Sequence, residues 1–253
     1  MSDVRVEIDG RPATAADLLE ASSGFGHFTA MQVRGGRTRG LALHLRRLEE
    51  ATRELFDAPL DAERVLWCIR HALGGDDDAS VRVYVHESEP EPAIVVTVKP
   101  PGGVAASVRL RSVDYQRPAA HLKHLATGQG WYSRLARADG FDDALLVDPN
   151  GVISETAIAN IGFFDGDNVV WPDAPQLRGI TMQLLERALP SRGVPCVRAV
   201  TRLADVPSFD GAFVSNARGV VPVAAIDDVD LAVPRGVLAA LTDSYDAVPR
   251  DPL

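Results

Sequence analysis

The segment from Lys123 to Thr181 constrains the fold of this chain more than any other part of the sequence. Residues 130–139 carry a helical pattern, and the short apolar run at 144–147 predicts a strand. A tight turn is predicted at 148–151, where Asp, Pro, Asn and Gly follow one another. The strand pattern resumes directly afterwards, at 152–161. Because such a turn reverses the chain, we expect the two strands to form a hairpin.

The part of the chain before this segment is predicted to be an α+β unit. Apolar side chains recur at helical spacing from Leu41 to Phe56 and from Ala62 to Leu73, and Asp61 is the predicted N-cap of the second helix. Alternating or continuous apolar runs predict strands at 4–8, 30–33, 81–85, 93–98 and 107–113.

Shorter elements are predicted in the part of the chain after this segment. Residues 180–189 and Val233 to Tyr245 have helical patterns. We interpret Ser215 to Gly219 as a loop between strands. The predicted strands lie at 197–200, 212–214 and 220–223.

The length of 253 residues allows either one large domain or two modest ones. We interpret residues 116–120, which include Pro118, as an interdomain linker. The predicted division is a small N-terminal domain over 1–115 and a larger C-terminal domain over 121–253.

Composition excludes several classes of function. A net charge of −9 argues against nucleic acid as a partner, because a phosphate backbone requires a positive surface. The two cysteines, Cys68 and Cys196, are isolated from each other, so neither a disulfide framework nor a cysteine-rich metal site is expected. No run approaches the roughly 20 apolar residues of a membrane span. We therefore expect a cytoplasmic protein without a membrane partner or a metal.

Two residues of the segment from Lys123 to Thr181 suit pyridoxal 5′-phosphate chemistry. This chemistry requires an amine to attach the cofactor and an acid to keep its ring nitrogen protonated. Lys123 is one of only two lysines in the chain, with Lys99. Taken alone, such a lysine is more often a solvated charge. Glu155 lies among small and apolar residues, where an acid is partly buried and requires a charged partner. A pyridinium would be that partner, although a single strand-end glutamate more commonly faces water.

Three further features suit the phosphate of the same cofactor. Gly179, Ile180 and Thr181 begin a helix, and the free N–H groups of a helix start attract anions. Asn216 and Arg47 are candidate donors to the phosphate. Each feature alone is common in other settings: an ordinary helix start, an Asn in a turn and a surface arginine on an amphipathic helix.

The order of these features resembles the class IV aminotransferases, the fold-type IV group of pyridoxal phosphate enzymes. That group includes branched-chain and D-amino acid aminotransferases and 4-amino-4-deoxychorismate lyase. His44 to Leu48 matches the family pattern H-x-x-R-L, and Lys123 falls at the Schiff-base lysine. Glu155 and Asn160 match E-x-x-x-x-N, and Leu177 to Thr181 resembles L-x-G-I-T. The resemblance covers the chain from Gly24 to Val223.

The resemblance implies a fold, a cofactor and a set of roles. The expected fold is α+β with two domains, a small N-terminal α/β domain and a larger C-terminal domain with a pseudo-barrel of strands. Lys123 would form the Schiff base and move a proton as general base and acid. The family also implies a homodimer that acts on a small amino acid and a 2-oxo acid. The implied cofactor-binding residues are Arg47, Lys123, Glu155, Asn160, Gly179, Ile180, Thr181 and Asn216.

The reaction class is left open between two alternatives. The first is transfer of an amino group between an amino acid and a 2-oxo acid. The second is elimination of pyruvate from aminodeoxychorismate to leave 4-aminobenzoate, since Phe28-Thr29, Lys123-His124-Leu125 and Ser215-Asn216-Ala217 resemble the lyase. Gly128 stands where some aminotransferases have a tyrosine. A scaffold that has lost its activity is a third class, which the intact Lys123 and Glu155 argue against.

The substrate pocket is predicted from the same resemblance. Candidates to line the pocket are His27, Thr29, Gln129 and Arg218. For Trp131 we weigh the same role against packing on a helix face, and we favour the packing.

Overall fold

The computed structural model describes residues 4–21, 25–166, 168–232 and 235–253. Val233, the predicted start of the last helix, and Gly24, where the family resemblance begins, lie outside the described residues. Within the described ranges, no helix combines the length and the apolar character needed to cross a membrane.

The helices are α1 (Ala15–Ala21), α2 (Leu41–Phe56), α3 (Ala62–Leu73), α4 (Gln129–Ala138), α5 (Ile180–Ala188) and α6 (Arg235–Asp246). The strands are β1 (Arg5–Ile8), β2 (Arg11–Pro12), β3 (Gly26–Val33), β4 (Arg37–Arg39), β5 (Ala79–His86), β6 (Ala93–Lys99), β7 (Val108–Asp114), β8 (Asp143–Val147), β9 (Ile153–Thr156), β10 (Asn160–Asp165), β11 (Asn168–Pro172), β12 (Cys196–Ala199), β13 (Gly211–Asn216), β14 (Gly219–Ile226), β15 (Val229–Asp230) and β16 (Arg250–Pro252).

The chain forms two compact units. The first unit extends to Gly103 and also includes Leu122–Ala126 and Pro249–Leu253. The second unit consists of Val104–His121 and Thr127–Val248. Lys123 therefore belongs to the first unit, and the predicted linker at 116–120 lies within the second.

The first unit is built on a five-stranded antiparallel sheet with the strand order β2-β1-β6-β5-β3. Alternate side chains of β3 are buried, and Met31 and Val33 pack in one apolar cluster with Leu48 of α2 and Ile69 of α3. Full burial of each such side chain contributes roughly 1.5–3 kcal/mol. The apolar faces of the two helices therefore cover the face of the sheet that carries Met31 and Val33. A separate two-stranded sheet pairs β16 with β4.

The predicted helices of the first unit are confirmed. Helices α2 and α3 begin and end at the predicted residues, and the Asp61 carboxylate accepts a hydrogen bond from Glu63 N at 2.9 Å, as an N-cap does. The predicted strand at 30–33 is too short, because β3 begins at Gly26. Polar residues at its inward positions, His27 and Thr29, obscured the alternation in the sequence.

The second unit is built on a nine-stranded mixed sheet with the order β12-β11-β10-β13-β14-β7-β8-β9, and β15 pairs with β14. Strand β7 lies parallel to both of its neighbours, β14 and β8. Strand β9 at one end of the sheet also contacts β10 and β11 near the other end, so the sheet curls on itself. This arrangement confirms the mixed α+β class and the predicted pseudo-barrel of strands.

The predicted loop from Ser215 to Gly219 is wrong. Strand β13 continues through Asn216 and β14 begins at Gly219, so only two residues connect them. The turn closes because the Asn216 carboxamide oxygen accepts a hydrogen bond from Arg218 N at 2.9 Å. Gly219 has φ +132°, a conformation that favours glycine.

Candidate active site

Lys123 is held against the edge of β3 by backbone pairing. Phe28 N donates to Lys123 O at 3.0 Å, Leu125 N donates to Gly26 O at 2.9 Å, and His124 forms an antiparallel bridge with His27. The Lys123 amine lies 4.8 Å from the centroid of the Phe28 ring, within the range of a cation–π contact. The amine therefore has a defined position in the first unit.

His27 and Thr29, predicted to line the substrate pocket, are buried and bonded to α2. His27 Nε2 lies 2.9 Å from the Thr52 hydroxyl, and Thr29 Oγ1 shares a 2.6 Å hydrogen bond with His44 Nδ1. The Thr52 hydroxyl itself donates to Leu48 O, so it accepts the proton of His27 Nε2. These bonds attach β3 to the helix that carries Arg47. A contact of either residue with substrate stays a prediction.

Arg47 occupies a partly buried position on α2. Loss of solvation lowers its pKa to about 10, a value at which the guanidinium is still charged at neutral pH. His44 is fully buried, and its pKa lies well below the ordinary value, first because of burial and then because of the positive charges of Arg47 and Lys123. The first unit thus gathers two cations around a neutral imidazole, a setting that favours an anion.

Glu155 of β9 is buried in the second unit and is held through both carboxylate oxygens. Oε1 accepts from Arg117 Nε at 2.9 Å, and Oε2 accepts from Leu177 N at 3.2 Å. Only 4% of the Arg117 side chain and 7% of the Glu155 side chain are exposed. Sequence reasoning missed Arg117, which lies in the predicted linker. The expected burial of Glu155 could have pointed to Arg117, because a buried carboxylate requires a cation beside it.

Gly179 precedes α5 as its N-cap, and no side chain among the described residues forms a capping hydrogen bond at this helix start. A Cβ at Gly179 would lie 1.9 Å from Asn160 Oδ1, so only glycine fits here. The Asn160 carboxamide nitrogen donates to Gln176 Oε1 at 3.1 Å and to Leu177 O at 2.7 Å. Asn160 therefore fixes the loop that leads into α5.

Strand β13 ends beside the same helix start. The Thr181 hydroxyl donates to Asn216 O at 2.7 Å. The neighbouring Ser215 hydroxyl is buried and has no hydrogen-bond partner within the described ranges. Ile180 is also buried, whereas Arg218 is exposed in the turn. The second unit thus brings together Gly179, Ile180, Thr181 and Asn216, and their role as a phosphate site stays a prediction.

The remaining substrate candidates lie at α4. Gln129 is its first residue, and its carboxamide oxygen is buried without a partner in the part of the chain that the structure describes. Trp131 is 62% exposed, so the expectation that it packs on a helix face is wrong. Apolar residues lie on two sides of α4, so the sequence pattern alone does not show which side of this helix packs on the core. Gly128 N donates to the Tyr115 hydroxyl at 3.0 Å.

The sequence profile of the class IV amino-transferase family matches residues 26–226. The chain belongs to this family. Among curated proteins it is similar to a probable branched-chain-amino-acid aminotransferase from Rickettsia felis, with 34% identity over 97 residues. That match covers 38% of this chain and 33% of the relative, so the chain spans about a third of the length of the curated relatives it matches.

Solved structures share the class IV fold of this chain. A hypothetical aminotransferase from Mycobacterium tuberculosis in its PLP-bound form superposes with a TM-score of 0.82 and 23% identity, over 96% of this chain and 99% of that one. A protein from Legionella pneumophila named as a 4-amino-4-deoxychorismate lyase superposes with a TM-score of 0.80 and 18% identity, over 91% of this chain and 93% of that one. At these identities the similarity shows the fold.

The close approach at Gly179 leads to a prediction for this class IV protein. Gly179→Ala should lower the free energy of unfolding by about 1–3 kcal/mol, because Asn160 is held by two hydrogen bonds and cannot move aside freely. Urea denaturation of the ligand-free protein measures the change. Gly130→Ala in α4 is the matched control, since no described atom outside its own helix lies within 4 Å of its new Cβ. Equal effects of the two substitutions would contradict the prediction.

Acid should destabilise the protein through His27. Burial, followed by the charges of His124 and His86, lowers the pKa of His27 from 6.5 to about 4. Between these values the unfolded chain binds the proton and the folded chain does not, so stability falls as the pH falls from 6.5 to 4. The loss attributable to His27 is about 3 kcal/mol over this window.

The pH dependence of urea denaturation tests the role of His27. His27→Asn should have a shallower pH dependence than the unmodified protein in this window, whereas His121→Gln, at an exposed histidine, should follow the unmodified protein. Parallel curves for the His27 variant and the unmodified protein would refute the assignment.

Proposed function

We propose that this class IV family member is a pyridoxal phosphate-dependent aminotransferase, which moves an amino group between an amino acid and a 2-oxo acid. The observation that carries the proposal is the placement of Lys123, whose chain segment is paired with β3 on both sides of the residue. An attachment amine requires such a fixed position, and a solvated surface lysine does not. Membership in the class IV family supports the same activity.

The residues of the second unit fit an anionic aromatic cofactor. The start of α5 has no side-chain cap, and the buried Ser215 hydroxyl beside it lacks a partner among the residues described. A buried polar atom without a partner is costly, and a bound phosphate oxygen would satisfy it. Glu155 adds a buried acid of the kind that a ring nitrogen requires.

Each residue has a proposed role. Lys123 is the amine that attaches the cofactor and then carries a proton to and from the substrate Cα. Arg47, Ile180, Thr181 and Asn216 bind the phosphate, with Gly179 leaving space for it. The Glu155 carboxylate accepts a hydrogen bond from the N–H of the cofactor ring. When bound, pyridoxal phosphate supplies the electron sink that stabilises negative charge at Cα. Asn160 holds the loop before α5, and His27, Thr29, Gln129 and Arg218 stay candidates for the substrate pocket.

A single-turnover experiment tests the proposed reaction. The loaded protein is mixed with a branched-chain amino acid, since the Rickettsia relative is named for that substrate class. We expect the corresponding 2-oxo acid in a 1:1 ratio to protein, followed by amine transfer to added 2-oxoglutarate. Failure with a panel of L- and D-amino acids would refute transamination.

The lyase is the second candidate, favoured by the motif similarities at Phe28-Thr29 and Ser215-Asn216-Ala217 and by the Legionella protein of the same fold. It predicts release of pyruvate and 4-aminobenzoate from aminodeoxychorismate, without amine transfer to an acceptor. The two reactions therefore differ in the product to be measured.

The homodimer and the cytoplasmic location are also part of the proposal. Family membership supports the dimer. Two free thiols, Cys68 and Cys196, are compatible with a reducing compartment. Light scattering of the active protein should give twice the 27.1 kDa chain mass. A fully active species of single-chain mass would contradict the dimer.

A further inference from the structure

The second unit contains a buried ion pair, Arg117 with Glu155, in which the proposed function explains the carboxylate but not the guanidinium. The two side chains are among the least exposed charged groups that the structure describes, and Arg117 Nε donates to Glu155 Oε1 at 2.9 Å. Removing two charges from water costs several kcal/mol per ion, and an apolar pair of similar volume is often as stable or more stable. Stability alone therefore does not account for this pair.

The pair also fixes orientation. Arg117 Nη2 donates to Ala120 O, so the guanidinium is bound to the backbone of its own chain segment. Glu155 is held on the opposite side, where Oε2 accepts from Leu177 N in the loop that leads into α5. The carboxylate therefore has its direction set by two segments that are distant in the sequence.

The guanidinium determines the charge of the carboxylate. A buried carboxyl group without a cation favours its neutral form, whereas an adjacent cation favours the ionised form. An ionised carboxylate beside Arg117 is a weak base, so a proton shared with a ring nitrogen stays on the ring. Without Arg117 the carboxyl group would carry the proton itself.

We propose that Arg117 is a positioning residue that keeps the Glu155 carboxylate charged and oriented for the ring nitrogen of the cofactor. This inference rests on the proposed function, because it takes Glu155 as the partner of that nitrogen. Arg117 itself acts only through Glu155. A purely structural ion pair would hold the chain together without setting the protonation of the carboxyl group.

Infrared spectroscopy of the ligand-free protein separates these two roles. Arg117→Met should show the carbonyl band of a neutral carboxylic acid at neutral pH, and the band should disappear in Arg117→Met/Glu155→Gln. Arg117→Lys should lack the band, because it retains a cation. Arg198→Met is the matched control, since Arg198 pairs with Glu186 at a more exposed position of the same unit. It should show no such band.

Fluorescence titration with pyridoxal phosphate measures the consequence for the cofactor. We expect the Kd to rise by about tenfold or more in Arg117→Met, the factor that corresponds to roughly one pKa unit. Arg117→Lys should recover most of the affinity, and Arg198→Met should match the unmodified protein. If Arg117→Met does not fold, Arg117→Gln, which also removes the cation, replaces it in both measurements with the same expected band and the same rise in Kd.

The outcomes distinguish this inference from the proposed function. An unmodified protein that does not bind pyridoxal phosphate overturns the proposed function and the cofactor role of Arg117 with it, whatever the infrared spectrum shows. Cofactor binding by the unmodified protein, combined with unchanged Kd and no carboxylic acid band in Arg117→Met, overturns the inference alone. A band in that variant together with weaker binding supports both.

Discussion

Lys123→Ala is expected to abolish covalent attachment of pyridoxal phosphate and to lower the rate of amine transfer by at least about 10²–10⁴-fold, the contribution of a positioned proton carrier. The chain has only two lysines, so the attachment site can be identified without ambiguity. Borohydride reduction of the loaded protein should fix the cofactor on the peptide that contains Lys123. Mass spectrometry of a proteolytic digest measures the position.

Lys99→Ala is the matched control for this experiment. Lys99 is the exposed last residue of β6 and has no proposed role. The control should retain the adduct and the activity. An adduct on Lys99 in the unmodified protein, or a covalent adduct that persists in Lys123→Ala, would show that the attachment amine has been assigned wrongly.

Glu155→Leu is expected to lower the free energy of unfolding by about 3–5 kcal/mol, because it leaves the Arg117 guanidinium buried without its carboxylate. The double variant Arg117→Met/Glu155→Leu removes both charges and should recover most of this loss. Urea denaturation of the ligand-free variants at neutral pH measures both changes. The loss in the double variant minus the summed losses in the two single variants, Glu155→Leu and Arg117→Met, gives the interaction energy of the pair.

An exposed ion pair is the control for burial. Glu49 and Arg53 of α2 are 2.6 Å apart, with 49% and 63% of their side chains exposed. Glu49→Gln should change the free energy of unfolding by no more than about 1 kcal/mol. Additive losses from the single substitutions at Arg117 and Glu155 would mean that the two groups do not interact, contrary to the structure.

Much of the local structure could be predicted because it is encoded within a few neighbouring residues. Helices α2 and α3 have the predicted limits, since apolar spacing and the Asp61 cap act over one or two turns. The Asp148 to Gly151 turn also lies between two strands as predicted, with the Asp148 carboxylate accepting from Asn150 N at 2.8 Å. Such signals do not depend on the rest of the chain.

The family could be predicted from the candidate site residues, whereas the contacts of those residues could not. The order of Arg47, Lys123, Glu155 and Gly179 carried the family resemblance, and the family profile confirms the membership. The direction of His27 and Thr29 toward α2 could not be predicted, because it depends on which face of β3 the helices cover. The exposure of Trp131 depends in the same way on how α4 lies on the sheet.

The sequence by itself therefore determined most of the elements, the family and the order of the candidate site residues, because periodicity, capping and motif spacing are properties of short stretches. Only the tertiary structure decided that Arg117 is the cation of Glu155, 38 residues away, and that Asn160 prevents any Cβ at Gly179. Those partners meet because strands from distant parts of the chain pair in a specific register. A buried charge or a close contact can be assigned only when that register is known.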